Sequence, residues 1–139
     1  MSINALIARR LLALRQEKQL SLVQLAELSG VGKATISKIE RAQSSPTATI
    51  LGKLAAGLGV SLAQLLVEEG GISGRLRKRP EQQVWRDPEK GFQRRQVTEH
   101  DLRSGVEMVE VELPRSTQVS YPRWSGKPYR QRLWLLEGA

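Results

Sequence analysis

Residues 21–41, SLVQLAELSGVGKATISKIER, constrain the fold of this chain more than any other stretch. Ser21 precedes the first apolar residue, and Gln24 follows three positions later. This is the spacing of a capping box, in which each side chain satisfies the other residue's free backbone amide. A helix therefore starts at Ser21. Leu22, Leu25 and Ala26 form one apolar face, Gly30 marks a turn, and Ile36 and Ile39 form the inward face of a second short helix. Two short helices at a tight turn, the second carrying polar and basic residues outward, make a unit suited to reading DNA.

The flanking sequence builds a scaffold around that pair. From Ile3 to about Lys18, Ile3, Leu6, Ile7, Leu11 and Leu14 recur at spacings of three and four, with Arg9, Arg10, Gln16 and Glu17 mostly between them, which predicts an amphipathic helix. Ser44, Ser45 and Pro46 break the chain. Ile50, Leu51, Leu54, Ala55 and Leu58 rebuild a helical stripe that ends at Gly57 or Gly59. Ser61 and Gln64 form a second capping box leading into Leu62, Leu65 and Leu66. The sum is five helices and one modest core in residues 1–67, a size at which domains fold alone but marginally.

The pattern then changes. Gly70, Gly71 and Gly74, followed by Arg75, Arg77, Lys78 and Arg79, predict a Gly/Arg-rich linker over 68–80. Its basic cluster is either solvated or an arm that tracks phosphates. Within residues 81–139, short apolar runs over Gln83–Arg86, Phe92–Thr98 and Val106–Leu113 read as strands. Val109, Val111 and Leu113 alternate with Glu110 and Glu112, which predicts a half-buried strand with its carboxylates in water. Arg130–Glu137 reads as one more strand.

Charge narrows the partners. The formal net charge is +8. Residues 1–66 hold eight Lys/Arg against three Glu, whereas residues 80–139 hold ten basic against nine acidic residues, so the excess belongs to the helical part and the linker. A polyanionic partner follows naturally. With no cysteine and one histidine, His100, a disulfide frame, a thiolate or histidine-cluster metal site and a Cys/His nucleophile pair are excluded by count. His100 reads as an exposed loop residue. No cofactor and no metal are expected. Arg9, Arg10 and Arg15 interrupt the N-terminal leucines, so neither a signal peptide nor a membrane span is expected, and a cytoplasmic location is.

Residues SLVQLAELSGVGKATISKIERAQSSPT and LGKLAAGLGVSLAQLL resemble the lambda-repressor-like, or Xre-type, helix-turn-helix family of transcriptional regulators. Leu25-Ala26, Gly30-Val31, Ile36, Ile39-Glu40-Arg41 and Pro46-Thr47 coincide with it at fixed spacing. The resemblance implies an all-α five-helix DNA-binding domain whose second helix of the pair, residues 32–41, enters the major groove of double-stranded DNA, usually as a homodimer on a pseudo-palindromic operator. Helical geometry supplies the reading set. Measured from the bisector of Ile36 and Ile39, Ala34 and Arg41 point almost directly outward, Ser37 and Lys38 lie about 50° from that direction, and Lys33 about 90°. Lys33, Ala34, Ser37 and Lys38 are therefore the expected base readers. Ser21, Thr35, Arg41, Ser44 and Lys53 are the expected phosphate contacts. By resemblance, Glu40 pairs with Arg15 and ties the reading helix to the scaffold. The chain departs from the family at Leu22, where Gln is common, at Gly32, where Ser often caps, and at Ala42, where Gly is frequent.

Residues from about Gln82 look like the opening of the cupin sensor domain that often follows such a helix-turn-helix. The resemblance is best at Val109–Pro114 and Arg130–Gly138. A double-stranded β-helix needs on the order of eight strands and about 90–100 residues, whereas about 60 follow the linker. The expectation is a partial all-β segment: the chain is truncated, the missing strands come from elsewhere, or this half does not fold stably. Arg130 stands where the first metal histidine would be, against a metal site and an enzyme. Tyr129, Arg130, Arg132 and Trp134 would line a pocket for an anionic small-molecule effector in a whole barrel, strand-surface arginines being the alternative. The rival readings are an antitoxin-like protein that presents Val109, Leu113, Trp124 and Trp134 to a toxin partner, and a metal-dependent cupin enzyme with a DNA-binding appendage.

Overall fold

The computed structural model describes residues 2–67, 77–98, 104–123 and 128–139. Most of the predicted linker, Arg75 included, lies outside the described residues, as do His100 and Trp124. Helix α1 spans Ile3–Glu17, with Ser2 accepting from the Ala5 amide at its start. Helices α2 (Leu22–Ser29) and α3 (Lys33–Glu40) follow, separated by Gly30 at φ 71°. That left-handed conformation is what glycine adopts without a Cβ penalty, and it closes α2 with a bond from the Gly30 amide to the Ala26 carbonyl. Helix α4 (Ala48–Leu58) is capped by Thr47 and ended by Gly59, and the single turn α5 (Leu62–Leu65) opens on the Ser61–Gln64 capping box.

The apolar stripes of these helices converge. Leu6, Ile7, Leu11, Leu25, Ile36, Ile39, Leu51, Leu54, Leu58 and Leu65 are each 2 % exposed or less. Arg10, expected among the polar residues of α1, is instead buried at 7 % exposure, and its Nε donates to the Gln64 carbonyl at 3.0 Å. The carbonyls at the end of a helix lack intrahelical partners. A guanidinium from α1 serves one of them at the end of α5, which is why this cation is inside.

After a short 3-10 turn (Arg79–Glu81), three antiparallel strands form one sheet in the order β1 (Val84–Arg86), β2 (Gln93–Gln96), β3 (Val109–Glu112). Val84 faces Arg95, and Arg95 in turn faces Glu110. The sheet is not a separate body. Trp85 and Phe92, packed edge to face with centroids 5.5 Å apart, belong to the same buried cluster as the helical leucines.

Two expectations for the β part are corrected. Residues 128–139 contain no strand, and Leu133 and Trp134 are 93 % and 87 % exposed. An apolar run does not make a strand unless a neighbour supplies its hydrogen-bond ladder, and none of the described strands does. In β3, Glu110 is half-buried and ion-paired with Arg79 at 2.9 Å, with Arg95 at 3.7 Å, while Val111 and Leu113 are each half exposed. Glu112 is exposed and Val109 half-buried, as expected; the departure is at Glu110, drawn against two arginines, and at Val111 and Leu113, left half exposed. Arg79 of the expected basic linker cluster is thereby paired with the sheet while its side chain stays mostly exposed.

Candidate nucleic-acid interface

Local chemistry sets the two helices of the pair. The Ser21 hydroxyl accepts from the Gln24 amide at 3.1 Å, and the Gln24 side chain accepts from the Ser21 amide at 2.8 Å. The Ser21 hydroxyl accepts in this box, which leaves its own hydrogen as a donor. Helix α3 begins at Gly32, which supplies no side-chain cap. Its stability must come from packing, because eight residues are too few for a helix to persist alone.

Packing is supplied by Ile36 and Ile39, 0 % and 1 % exposed, and by an ion pair. Arg15 Nε donates to Glu40 Oε1 at 2.6 Å and Nη2 to Oε2 at 2.9 Å, while Nη1 donates to the Leu20 carbonyl at 2.9 Å. The hydrogen bond to Glu40 holds the Arg15 guanidinium above its usual range, against the opposing effect of burial. One planar fork thus joins the last residue of α3 to α1 and to the loop before α2, in the bidentate geometry that charge-assisted pairs favour. The carboxylate nearest the outer face of α3 is tied up from behind, so it does not confront a polyanion.

On the outer face, Lys33, Ala34, Thr35, Lys38 and Arg41 are exposed and Ser37 is half-buried. Among the described residues this face carries no carboxylate directed outward. The Arg41 Nε folds back onto the Ser37 carbonyl at 3.2 Å. Ser21, at the start of α2, is exposed; Lys53, on α4, is half-buried. Ser44 is half-buried in the α3–α4 loop, and its Oγ has no hydrogen-bond partner among the described residues. Asn4 Nδ2 donates to Ser45 Oγ at 2.6 Å, fastening that loop to α1. Ala42, just past α3, adopts φ 54°. This left-handed backbone costs a Cβ-bearing residue energy and suits glycine better.

Among the described residues, the side chains expected to line an effector pocket in a whole barrel do not converge on a cavity. Tyr129, Arg130, Arg132 and Trp134 lie exposed on the segment that lacks a strand, and none lines either of the two clefts on the sheet. Each cleft has a volume of about 10 Å³, room for one water at most. No group of three or more His, Cys, Asp or Glu among the described residues is arranged to hold a metal ion, and no described helix is long and apolar enough to cross a membrane.

Two buried charged residues that join distant elements are absent from the sequence-based set. Arg10 lacks a local signal, since a cation within an amphipathic helix ordinarily reads as solvated. Asp87 carries a weak one: Asp-Pro followed by Gly91 is a turn signature, but nothing local says that the turn docks on a helix.

Residues 11–65 match the helix-turn-helix family HTH_3. Over 53 residues the chain is 47 % identical to the HTH-type transcriptional regulator SutR of Escherichia coli K12, a match covering 38 % of this chain and 30 % of SutR. It is 27 % identical over 125 residues to the immunity repressor protein of Bacillus phage phi105, covering 90 % of this chain and 74 % of the repressor. Among solved structures, an HTH_3 family transcriptional regulator from Vibrio cholerae superposes with a TM-score of 0.62 at 29 % identity, covering 80 % of this chain and 58 % of that one. The chain thus spans about a third of SutR and under two thirds of the Vibrio protein. Its N-terminal five helices are a helix-turn-helix domain of the type carried by these transcriptional regulators.

Proposed function

We infer, from an HTH_3-type helix-turn-helix domain over residues 11–65, that the protein is a sequence-specific transcriptional regulator that reads double-stranded DNA with α3. The observation that carries the reading is the division of α3: two isoleucines buried, Glu40 bound from behind by Arg15, and a solvent face of Lys33, Ala34, Ser37 and Lys38. Lysine donates to guanine O6 or N7, serine accommodates either base type, and the alanine methyl meets a thymine methyl. Ser21, Thr35, Arg41, Ser44 and Lys53 supply phosphate contacts that fix the register. The likeness to a protein named as an immunity repressor supports repression as the sign of regulation.

In this reading the protein acts as a homodimer on a pseudo-palindromic operator, with the β part as a cupin-like sensor or dimerisation module. A small-molecule effector would act by favouring one dimer geometry over another, which changes half-site spacing and hence affinity. Leu133, Trp134, Leu135 and Leu136, all more than two thirds exposed, support a protein contact there, as apolar runs left in water mark interaction surfaces. The same exposure favours a second reading, an antitoxin-like protein whose C-terminal segment binds a toxin partner. A stoichiometric foreign partner that copurifies with the chain supports the antitoxin; a self-associated dimer by sedimentation supports the regulator.

Selection of bound sequences from random duplexes at moderate salt tests the main reading. Enrichment of a two-fold symmetric motif is expected. Recovery of no motif, with binding that varies only with salt, refutes sequence-specific recognition.

A further inference from the structure

Asp87 stands immediately after β1 and is 2 % exposed. Its Oδ1 accepts the backbone N–H of Ala48, the first residue of α4, at 2.8 Å across 39 positions of sequence. The other carboxylate oxygen accepts the Lys90 amide at 2.6 Å. The Asp87 amide donates to the Phe92 carbonyl at 2.8 Å, and the Gly91 amide donates to the Asp87 carbonyl at 2.9 Å. The carboxylate is therefore fixed by its own turn before it reaches the helix. The first amides of a helix lack intrahelical acceptors and lie at the positive end of its dipole. In α4, Thr47 Oγ1 takes the Ile50 amide and Asp87 takes that of Ala48.

A second contact comes from the segment that follows β3. Tyr121 covers Gly52 of α4 so closely that a Cβ there would lie 2.5 Å from its ring. Lys90 Nζ also donates to the Gln118 carbonyl, joining the β1–β2 turn to that segment. On the helical side, residues 42–47 run from the end of α3 directly to the amide that Asp87 holds. At its start this loop is bonded to α3 through Ala42 N–H to the Ile39 carbonyl and Gln43 N–H to the Lys38 carbonyl, each at 2.9 Å.

We propose that Asp87 is a positioning residue for DNA binding: it clamps the β1–β2 turn to the N-terminus of α4, so that displacement of the sheet is transmitted through loop 42–47 to the reading helix. The proposal rests on the DNA-binding reading above and gives the sheet a mechanical route to it. The clamp also commits the first amide of α4 to an internal carboxylate. Phosphate contacts near the loop then fall to side chains such as Ser44 and Arg41, whose alignment depends on how the loop is held.

The test uses the whole chain as wild type, Asp87→Ala and Asp87→Asn, with amide hydrogen exchange and affinity for the selected operator across a salt series. For Asp87→Ala, exchange at residues 48–50 rises about tenfold or more, since a bond to a charged acceptor is removed. Exchange of the Leu11 and Leu25 amides stays at the wild-type rate. Operator affinity falls about tenfold, and the slope of log affinity against log salt flattens by about one for each phosphate no longer neutralised. Asp87→Asn keeps one acceptor oxygen for the Ala48 amide but turns its NH2 towards the Lys90 amide, so it recovers part of the affinity; should Asp87→Ala unfold the chain, the Asn variant makes the same comparison at smaller amplitude. Unchanged exchange at 48–50 overturns the clamp. Faster exchange with unaltered affinity and salt slope overturns the positioning role and leaves Asp87 merely structural. A wild-type chain that exchanges as described but selects no operator overturns the DNA reading, and the positioning role with it.

Discussion

Replacing Glu40 with alanine tests how the reading helix is held. The substitution removes both carboxylate bonds of Arg15, at 2.6 and 2.9 Å, and leaves the guanidinium, among the described residues, its bond to the Leu20 carbonyl. The Arg15 and Glu40 side chains are 14 % and 9 % exposed, so water replaces little of what is removed. Breaking one side of a buried pair costs about 3–5 kcal/mol because a charge is stranded. The retained Leu20 bond and the residual exposure of Arg15 favour the lower end, about 3 kcal/mol. In a chain of 139 residues with one shared core each kcal/mol moves the midpoint by about 3–5 °C, so thermal unfolding followed by helical circular dichroism should shift down by about 9 °C or more. Operator binding should weaken as well, even below the transition, since the end of α3 is untied. The double variant Arg15→Met/Glu40→Leu should recover much of the stability, because it leaves no stranded charge. A Glu40→Ala midpoint within about 3 °C of wild type would refute the reasoning; it would mean that the pair contributes no more than an exposed one.

Three further outcomes follow from the same structure. Lys38→Ala, on the exposed face of α3, should weaken binding to the selected operator by about 1–3 kcal/mol, relax discrimination at one base position and leave the melting midpoint unchanged; uniform weakening on every duplex would make Lys38 a phosphate contact instead. Ala42→Gly relieves the φ of 54° and should stabilise the chain by up to about 1 kcal/mol, read as a higher unfolding midpoint. Glu110 is held below its ordinary range chiefly by its hydrogen bonds to Arg79; with the folded value depressed, its contribution is present above the unfolded value and is lost as pH falls through the folded one. A carboxyl titration by NMR should find that low midpoint, and Arg79→Ala should bring it back up; a midpoint indifferent to Arg79 would remove the pair as its cause.

The legible parts of this fold are those with short reach. Both capping boxes, Ser21 with Gln24 and Ser61 with Gln64, join residues three apart, and the stripe of α1 repeats within four. Such signals stand in any window of the sequence that contains them. Gly30 is legible for the same reason, since its left-handed φ serves the turn it sits in. The face of α3 could likewise be drawn from the positions of Ile36 and Ile39. The Arg15–Glu40 contact spans 25 positions and has no local signal; only the likeness to a family suggested it. In the β half, the three strands lie inside runs whose patterning announced them, whereas the apolar run Leu133–Leu136 announced a strand that is absent.

By itself, the sequence determined where helices begin and end and which face of α3 is buried, because capping, turn conformation and helical periodicity act over a few residues. It also located the positive charge, which needs only counting. Tertiary structure alone decided that Arg10 is buried on the end of α5, that Glu110 is paired with Arg79 and Arg95, and that the sheet joins the helical core through Trp85, Phe92 and the Asp87 link to Ala48. Each of these pairs a polar or apolar group with a partner far along the chain. Their side chains have the same intrinsic preference whether the partner arrives or not, and only the folded chain supplies the partner.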